Sequence, residues 1–257
     1  MDVNILQLII IFVGGVAAGI INTIAGGGTL IAFPLLVFVG VEPIVAVATN
    51  RLAIVIQTLI ASVTFKRGGV GNLKLSIMLA IPATITSILG AWIATIIDKK
   101  AFSTAVAILI LMVLAIIIID PKKRLAQFNK NPEEQMSSIT RNIIGIVVFF
   151  LIGLYGGFFG AGIGIMILTA LFLTYDLDFL RGNGVKVVIN LILSLGAVAM
   201  FAYKGKINYM LAIPLSIANG TGAYIGAKIS LKGGHKWIKR VVLLVGLISV
   251  IKLIFFR

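Results

Sequence analysis

The chain has no cysteine and a single histidine, His235. The first absence excludes disulfides and thiolate metal sites. The second leaves no histidine cluster for a metal or a catalytic relay, and His235 itself sits in the basic run 232–239, where a solvated side chain is expected. Acidic residues are also scarce, eight against 22 Lys and Arg. All eight (Asp2, Glu42, Asp98, Asp120, Glu133, Glu134, Asp176 and Asp178) fall between apolar runs or at their ends. No carboxylate pair or nucleophile–base arrangement therefore lies within an apolar run, so neither an enzyme, a metal nor a cofactor is expected. The buried carboxylates on which proton pumps rely are missing for the same reason. The glycine runs do not precede Lys-Ser/Thr, which argues against a phosphate-binding loop.

Charge of either sign is sparse, 12% of residues, whereas 60% are hydrophobic and the mean hydropathy is +1.16. A soluble domain carries roughly twice that charge, so the remaining solvent is lipid. Runs of about 17–25 apolar residues suffice to cross a hydrocarbon core of roughly 30 Å. Residues 43–65, 75–97 and 101–119 fit in the first half, and 185–203, 207–230 and 237–256 in the second. Two longer stretches, 5–39 and 143–174, are interrupted by glycine. With Asp2 where a basic leader would begin, 5–21 reads as a retained segment. The net charge of +14 sits in short clusters between apolar runs, the pattern of positive cytoplasmic loops and not of a nucleic-acid binder.

The chain repeats itself. Gly19, Gly26 and Gly28 match Gly153, Gly160 and Gly162 at an offset of 134; Gly69 and Asn72 match Gly205 and Asn208 at 136; Pro82 and Gly90 match Pro214 and Gly222 at 132. Two related halves follow, 1–119 and 142–257, joined by the polar stretch 120–141, which is expected to be cytoplasmic. Each interrupted stretch is either one crossing with an unwound middle or a hairpin. Hairpins make the halves inverted and place 14 basic residues on one side against 6, omitting Arg51 and Lys186; single crossings divide them 12 to 8. The positive-inside rule favours hairpins. The expected fold is an all-α integral membrane protein of two inverted repeats, each a hairpin plus three crossing helices. That makes about eight transmembrane segments, or ten with hairpin arms counted separately.

Irregular backbone survives in lipid only where protein or a water-filled cavity surrounds it. The breaks at Gly26, Gly27 and Gly28, and at Gly160 and Gly162, are thus candidate site elements, because a half-helix starting there presents N–H groups to an anion. Close helix packing is the plainer explanation for such small residues. Arg51 and Lys186 lie within apolar runs at corresponding positions, and a buried cation without a counter-charge suits an anionic substrate. Snorkelling to the headgroups is the alternative for both. Asn22, Asn50 and Asn190 would add amide donors, with Lys186, Asn190 and Ser194 on one helix face.

The blocks GGVAAGIINTIAGGGTLIAFPLL and AVATNRLA, then GLYGGFFGAGIG and GNGVKVVINL, resemble the TauE/SafE sulfite exporter family over nearly the whole chain. The resemblance implies a multi-pass plasma-membrane transporter of a small anion: a sulfur oxyanion, an organosulfonate such as sulfoacetate, or a small carboxylate. It places Asn22, Gly26, Gly27, Gly28, Asn50, Arg51, Gly160, Gly162 and Lys186 near the site. Alternating access is the expected mechanism; a passive anion channel and a membrane partner without flux are the alternatives. The lipid bilayer and the anion are the expected partners, nucleic acid is not, and a homo-oligomer is compatible with the sequence.

Overall fold

A computed structural model describes residues 5–119 and 137–233. The expected crossing 237–256, His235 and most of the polar joint lie outside them. Among the described residues all regular structure is helical: α1 (Ile5–Ala25), α2 (Thr29–Phe38), α3 (Pro43–Arg67), α4 (Leu73–Ile96), α5 (Lys99–Ile119), α6 (Ser138–Phe158), α7 (Ile163–Tyr175), α8 (Phe179–Tyr203) and α9 (Tyr209–Leu231). Five of these, α1, α3, α4, α6 and α8, are long and apolar enough to cross a membrane, and α2 and α7 are shorter apolar helices.

Local chemistry sets the ends. The side chains of Asn72, Ser137, Asp178 and Asn208 each accept a hydrogen bond from the backbone N–H three residues on, capping α4, α6, α8 and α9. Pro43 opens α3 with its fixed φ, at the position where its missing N–H costs nothing. Because Ser137 caps α6, that helix begins at Ser138, inside the stretch expected to be a linker. The breaks come where Gly26 (φ +85°) and Gly160 and Gly162 (both φ +71°) adopt left-handed backbone that side-chain-bearing residues resist.

At each break the chain doubles back. A Cβ on Gly14 of α1 would strike the Leu35 side chain of α2, and one on Gly28 would meet the Ala18 carbonyl and the Asn22 Cβ. In the second half a Cβ on Gly145, near the start of α6, would strike Tyr175, the last residue of α7. Both interrupted stretches are hairpins. At ~1.5 Å per residue the returning arms are about 15 and 20 Å long, too short to recross.

The halves interlock. α1 packs along α9 and α6 along α4; α3 packs on α9 and α8 on α4; α3 and α8 cross at the centre. The central pair runs antiparallel, since Gly184 near the start of α8 lies against Gly71 just beyond α3. At the other end Thr49 Oγ1 accepts from Asn208 N (3.0 Å) just beyond α8. The α1/α9 and α4/α6 seams are matched sets of glycine contacts. Gly19 abuts the Asn219 carbonyl and Gly153 the Ala83 carbonyl; Gly226 approaches the Ile20 carbonyl and Gly90 the Leu154 carbonyl. In α4 and α9 the structural equivalence therefore runs at 136 (Ala83 with Asn219, Gly90 with Gly226). The offset of 132 read from Pro82 and Pro214 is one helical turn out. Four fewer residues separate Asn208 from Pro214 than Asn72 from Pro82, and four residues return to nearly the same helix face.

Candidate functional site

The two hairpin tips meet. A Cβ on Gly26 would overlap the backbone of Gly164 and Ile165, and one on Gly164 would overlap the Gly26 Cα. Phe33 of α2 and Phe159 of the second break pack edge to face at 5.1 Å. All ten residues singled out from the sequence are buried, and Arg51 and Lys186 are only 1% and 2% exposed. Neither cation snorkels.

Each cation belongs to one half and serves the other. Lys186 of α8 donates from Nζ to the carbonyl oxygens of Asn22 (3.1 Å) and Thr23 (2.8 Å) in the last turn of α1, and to Asn183 Oδ1 (2.5 Å). Arg51 of α3 donates from Nη2 to the carbonyl oxygens of Gly156 and Phe159 (the latter 3.1 Å) at the end of α6. A helix ending inside the protein leaves carbonyls without partners and a partial negative charge, and a cation there answers both. The two arrangements correspond, Asn22 with Gly156 and Lys186 with Arg51, but their remaining capacity differs. An ammonium has three N–H groups, matched by the three acceptors around Lys186. Arg51 retains Nε and Nη1, both buried and without a hydrogen-bond partner among the described residues.

The other expected residues divide. Asn22 Oδ1 accepts from Gly28 N (3.3 Å), tying the end of α1 to the start of α2. Gly27 lends its carbonyl to Leu30 N (3.0 Å) in the first turn of α2. Asn50 Nδ2 reaches Thr29 Oγ1 (3.4 Å), while its Oδ1 is buried and unpartnered among the described residues. Gly160 lies directly against the Arg51 guanidinium, and Gly162 caps α7 in left-handed conformation. Asn190 sits one turn beyond Lys186, where Ser194 Oγ donates to its Oδ1 (3.4 Å). Among the described residues no hydrogen bond ties it to either break.

Two participants were not visible in the sequence. Tyr155 hydrogen-bonds the Ala161 carbonyl (2.5 Å) and braces the second break; it reads as one more apolar-run aromatic. Gly164 is the seat of the other tip, and the alternation of Gly160, Gly162 and Gly164 was its one signal. Around the tips Thr23 Oγ1, Asn50 Oδ1, Arg51 Nε and Nη1, and Asn183 Nδ2 are all buried without partners among the described residues. No acidic side chain is among the buried polar groups described, so this cluster is rich in donors and poor in negative charge.

Comparison with known proteins agrees with the family resemblance read from the sequence. The family described as Sulfite exporter TauE/SafE matches residues 11–253. A "Probable membrane transporter protein" of Haemophilus influenzae is 28% identical, with 99% of this chain and 97% of that one aligned. A "Probable membrane transporter protein ORF9" of a Sinorhizobium species is 25% identical over 96% and 92% of the two chains. "Probable membrane transporter protein YunE" of Bacillus subtilis is 22% identical over 91% and 92%. No solved structure matches significantly.

Proposed function

We propose a carrier of small oxyanions, and the premise is plain: the chain belongs to the sulfite exporter TauE/SafE family of membrane transporters. The observation that carries the proposal is the unequal use of the two buried cations. Lys186 holds the carbonyl end of α1, a positioning role, and its charge contributes to the local field. Arg51 holds the end of α6 with one nitrogen and keeps Nε and Nη1 for the substrate. Charged donors in a water-poor site are the strong ones. Asn183 Nδ2 adds a neutral donor. Asn50 adds another when its amide is turned so that Oδ1 accepts from the Thr29 hydroxyl, which can donate as well as accept, leaving Nδ2 free. The N-termini of α2 and α7, which start at the tips, point in the same sense. A sulfur oxyanion, an organosulfonate or a small carboxylate matches such a set.

The antiparallel α3/α8 pair and the matched seams support two halves inverted in the membrane, each a hairpin followed by crossing helices. Burial of every candidate site residue favours a carrier that exposes its site alternately over an open pore. The test is uptake into proteoliposomes of sulfite, sulfoacetate, sulfate and small carboxylates. Saturable uptake of one of them by the wild type is expected, with a fall of at least about tenfold in Arg51→Ala. Saturable uptake that survives in Arg51→Ala would remove Arg51 from the site. Flux that rises linearly without saturation would replace the carrier by a channel.

A further inference from the structure

An apolar groove of about 740 Å³ runs along the outer face between α3 and α9, lined by Leu52, Ile56, Ile60, Ile213, Ile217 and Tyr224 among others. Gly220, which carries no side chain, forms part of its lining, and the Ile60 side chain packs down onto it. Ile213 and Ile217 are 62% and 57% exposed on its rim. The two helices run parallel, since Gly68 beyond α3 lies against Leu231 at the end of α9. Helical periodicity then sets what stands at the groove's end. Arg67 follows Ile56 and Ile60 by eleven and seven residues, and Lys228 follows Ile217 and Tyr224 by eleven and four, so both share the groove face. Both are exposed, and Lys228 Nζ lies over the Tyr224 ring at 5.7 Å.

The related seam between α8 and α4 carries different residues. There Thr84, with a side chain, stands where α9 has Gly220. The positions equivalent to Arg67 and Lys228 are Ala202 and Trp92. The pair of basic residues at the groove's end thus has no counterpart at the related seam.

We infer that the α3/α9 groove is a binding site for one anionic phospholipid, with an acyl chain along the isoleucines and the phosphate between Arg67 and Lys228. A long apolar slot ending in two cations and an interfacial tyrosine complements a chain joined to a negative headgroup. It does not complement a second copy of the same surface, which would bring like charges together.

The experiment is native mass spectrometry of the full chain with equal amounts of phosphatidylglycerol and phosphatidylcholine, comparing wild type with two surface variants. The double variant Arg67→Gln with Lys228→Gln removes the charges and leaves the slot; Thr221→Phe fills the slot and leaves the charges. Wild type is expected to retain phosphatidylglycerol over phosphatidylcholine by roughly tenfold to thirtyfold. The double variant should lose that preference while still binding lipid, and Thr221→Phe should lose the tightly held molecule. Equal retention of the two lipids by wild type overturns the inference, as does an undiminished preference in the double variant. Efficient cross-linking of Thr221→Cys chains to one another in membranes would also overturn it, by assigning the groove to a second copy.

Discussion

At the scale of single residues, two cations at matching positions have different spare capacity, and the difference is one of geometry. Lysine ends in a point charge with three donors, whereas arginine presents five in a planar fork. Arg51→Lys therefore separates two roles that Arg51→Ala removes together. The lysine can keep a bond to the α6 carbonyls, yet it lacks the spare donors of Nε and Nη1. Thermal stability near wild type with uptake lowered at least about tenfold is the expected outcome; normal uptake would assign Arg51 to capping alone. Lys186→Met takes away a charge already matched to three acceptors. It should destabilise the protein by about 3 kcal/mol, a loss of roughly 6–12 °C in melting temperature in detergent. An unchanged melting temperature would rule out the clasp. Arg51 and Lys186 were legible in the sequence as cations out of place in apolar runs. Their partners were not, because backbone carbonyls of a helix end carry no residue signature and lie more than 100 positions away.

At the scale of helices, the glycine breaks were readable as breaks, and charge counting favoured hairpins. What composition could not supply was the contact of each returning arm with its partner, Leu35 on Gly14 and Tyr175 on Gly145. Nor could it place α4 against α6 or α1 against α9. The matching prolines pointed to an alignment one turn away from the packed one, because a four-residue difference leaves a helix face almost unchanged. The seams depend on bare backbone. Gly19→Ala places a methyl group into the Asn219 backbone and should cost about 1–3 kcal/mol. Gly182→Ala, whose new Cβ would meet only Leu168 Cδ2 at 3.2 Å, should cost far less. Thermal unfolding of the two variants in one detergent checks the contrast, and equal losses would contradict the close α1/α9 approach.

At the scale of the molecule, the antiparallel α3/α8 pair puts the ends of those helices at opposite extremities. Lys66 and Lys204 should therefore face opposite sides of the membrane. With no native cysteine in the chain, Lys66→Cys and Lys204→Cys each report without background. In oriented vesicles an impermeant thiol reagent should label one from outside and the other only after permeabilisation. Labelling of both from one side would refute the inverted arrangement. The overall class was legible from hydropathy alone, and the positions of the breaks from the glycines, since lipid tolerates few other compositions and few other breaks. Interlocking was not legible, because it is a relation between surfaces that look alike in composition.

The crossed clasp also orders events in time. Arg51 is already made when α6 emerges, so the second hairpin meets its cation on arrival. The carbonyls of Asn22 and Thr23 must wait for Lys186, 164 and 163 residues later. At roughly 5–20 residues per second on the ribosome, the first hairpin spends on the order of ten to thirty seconds with the end of α1 uncapped. The translocation machinery, or water held within it, has to shelter that end until α8 is delivered.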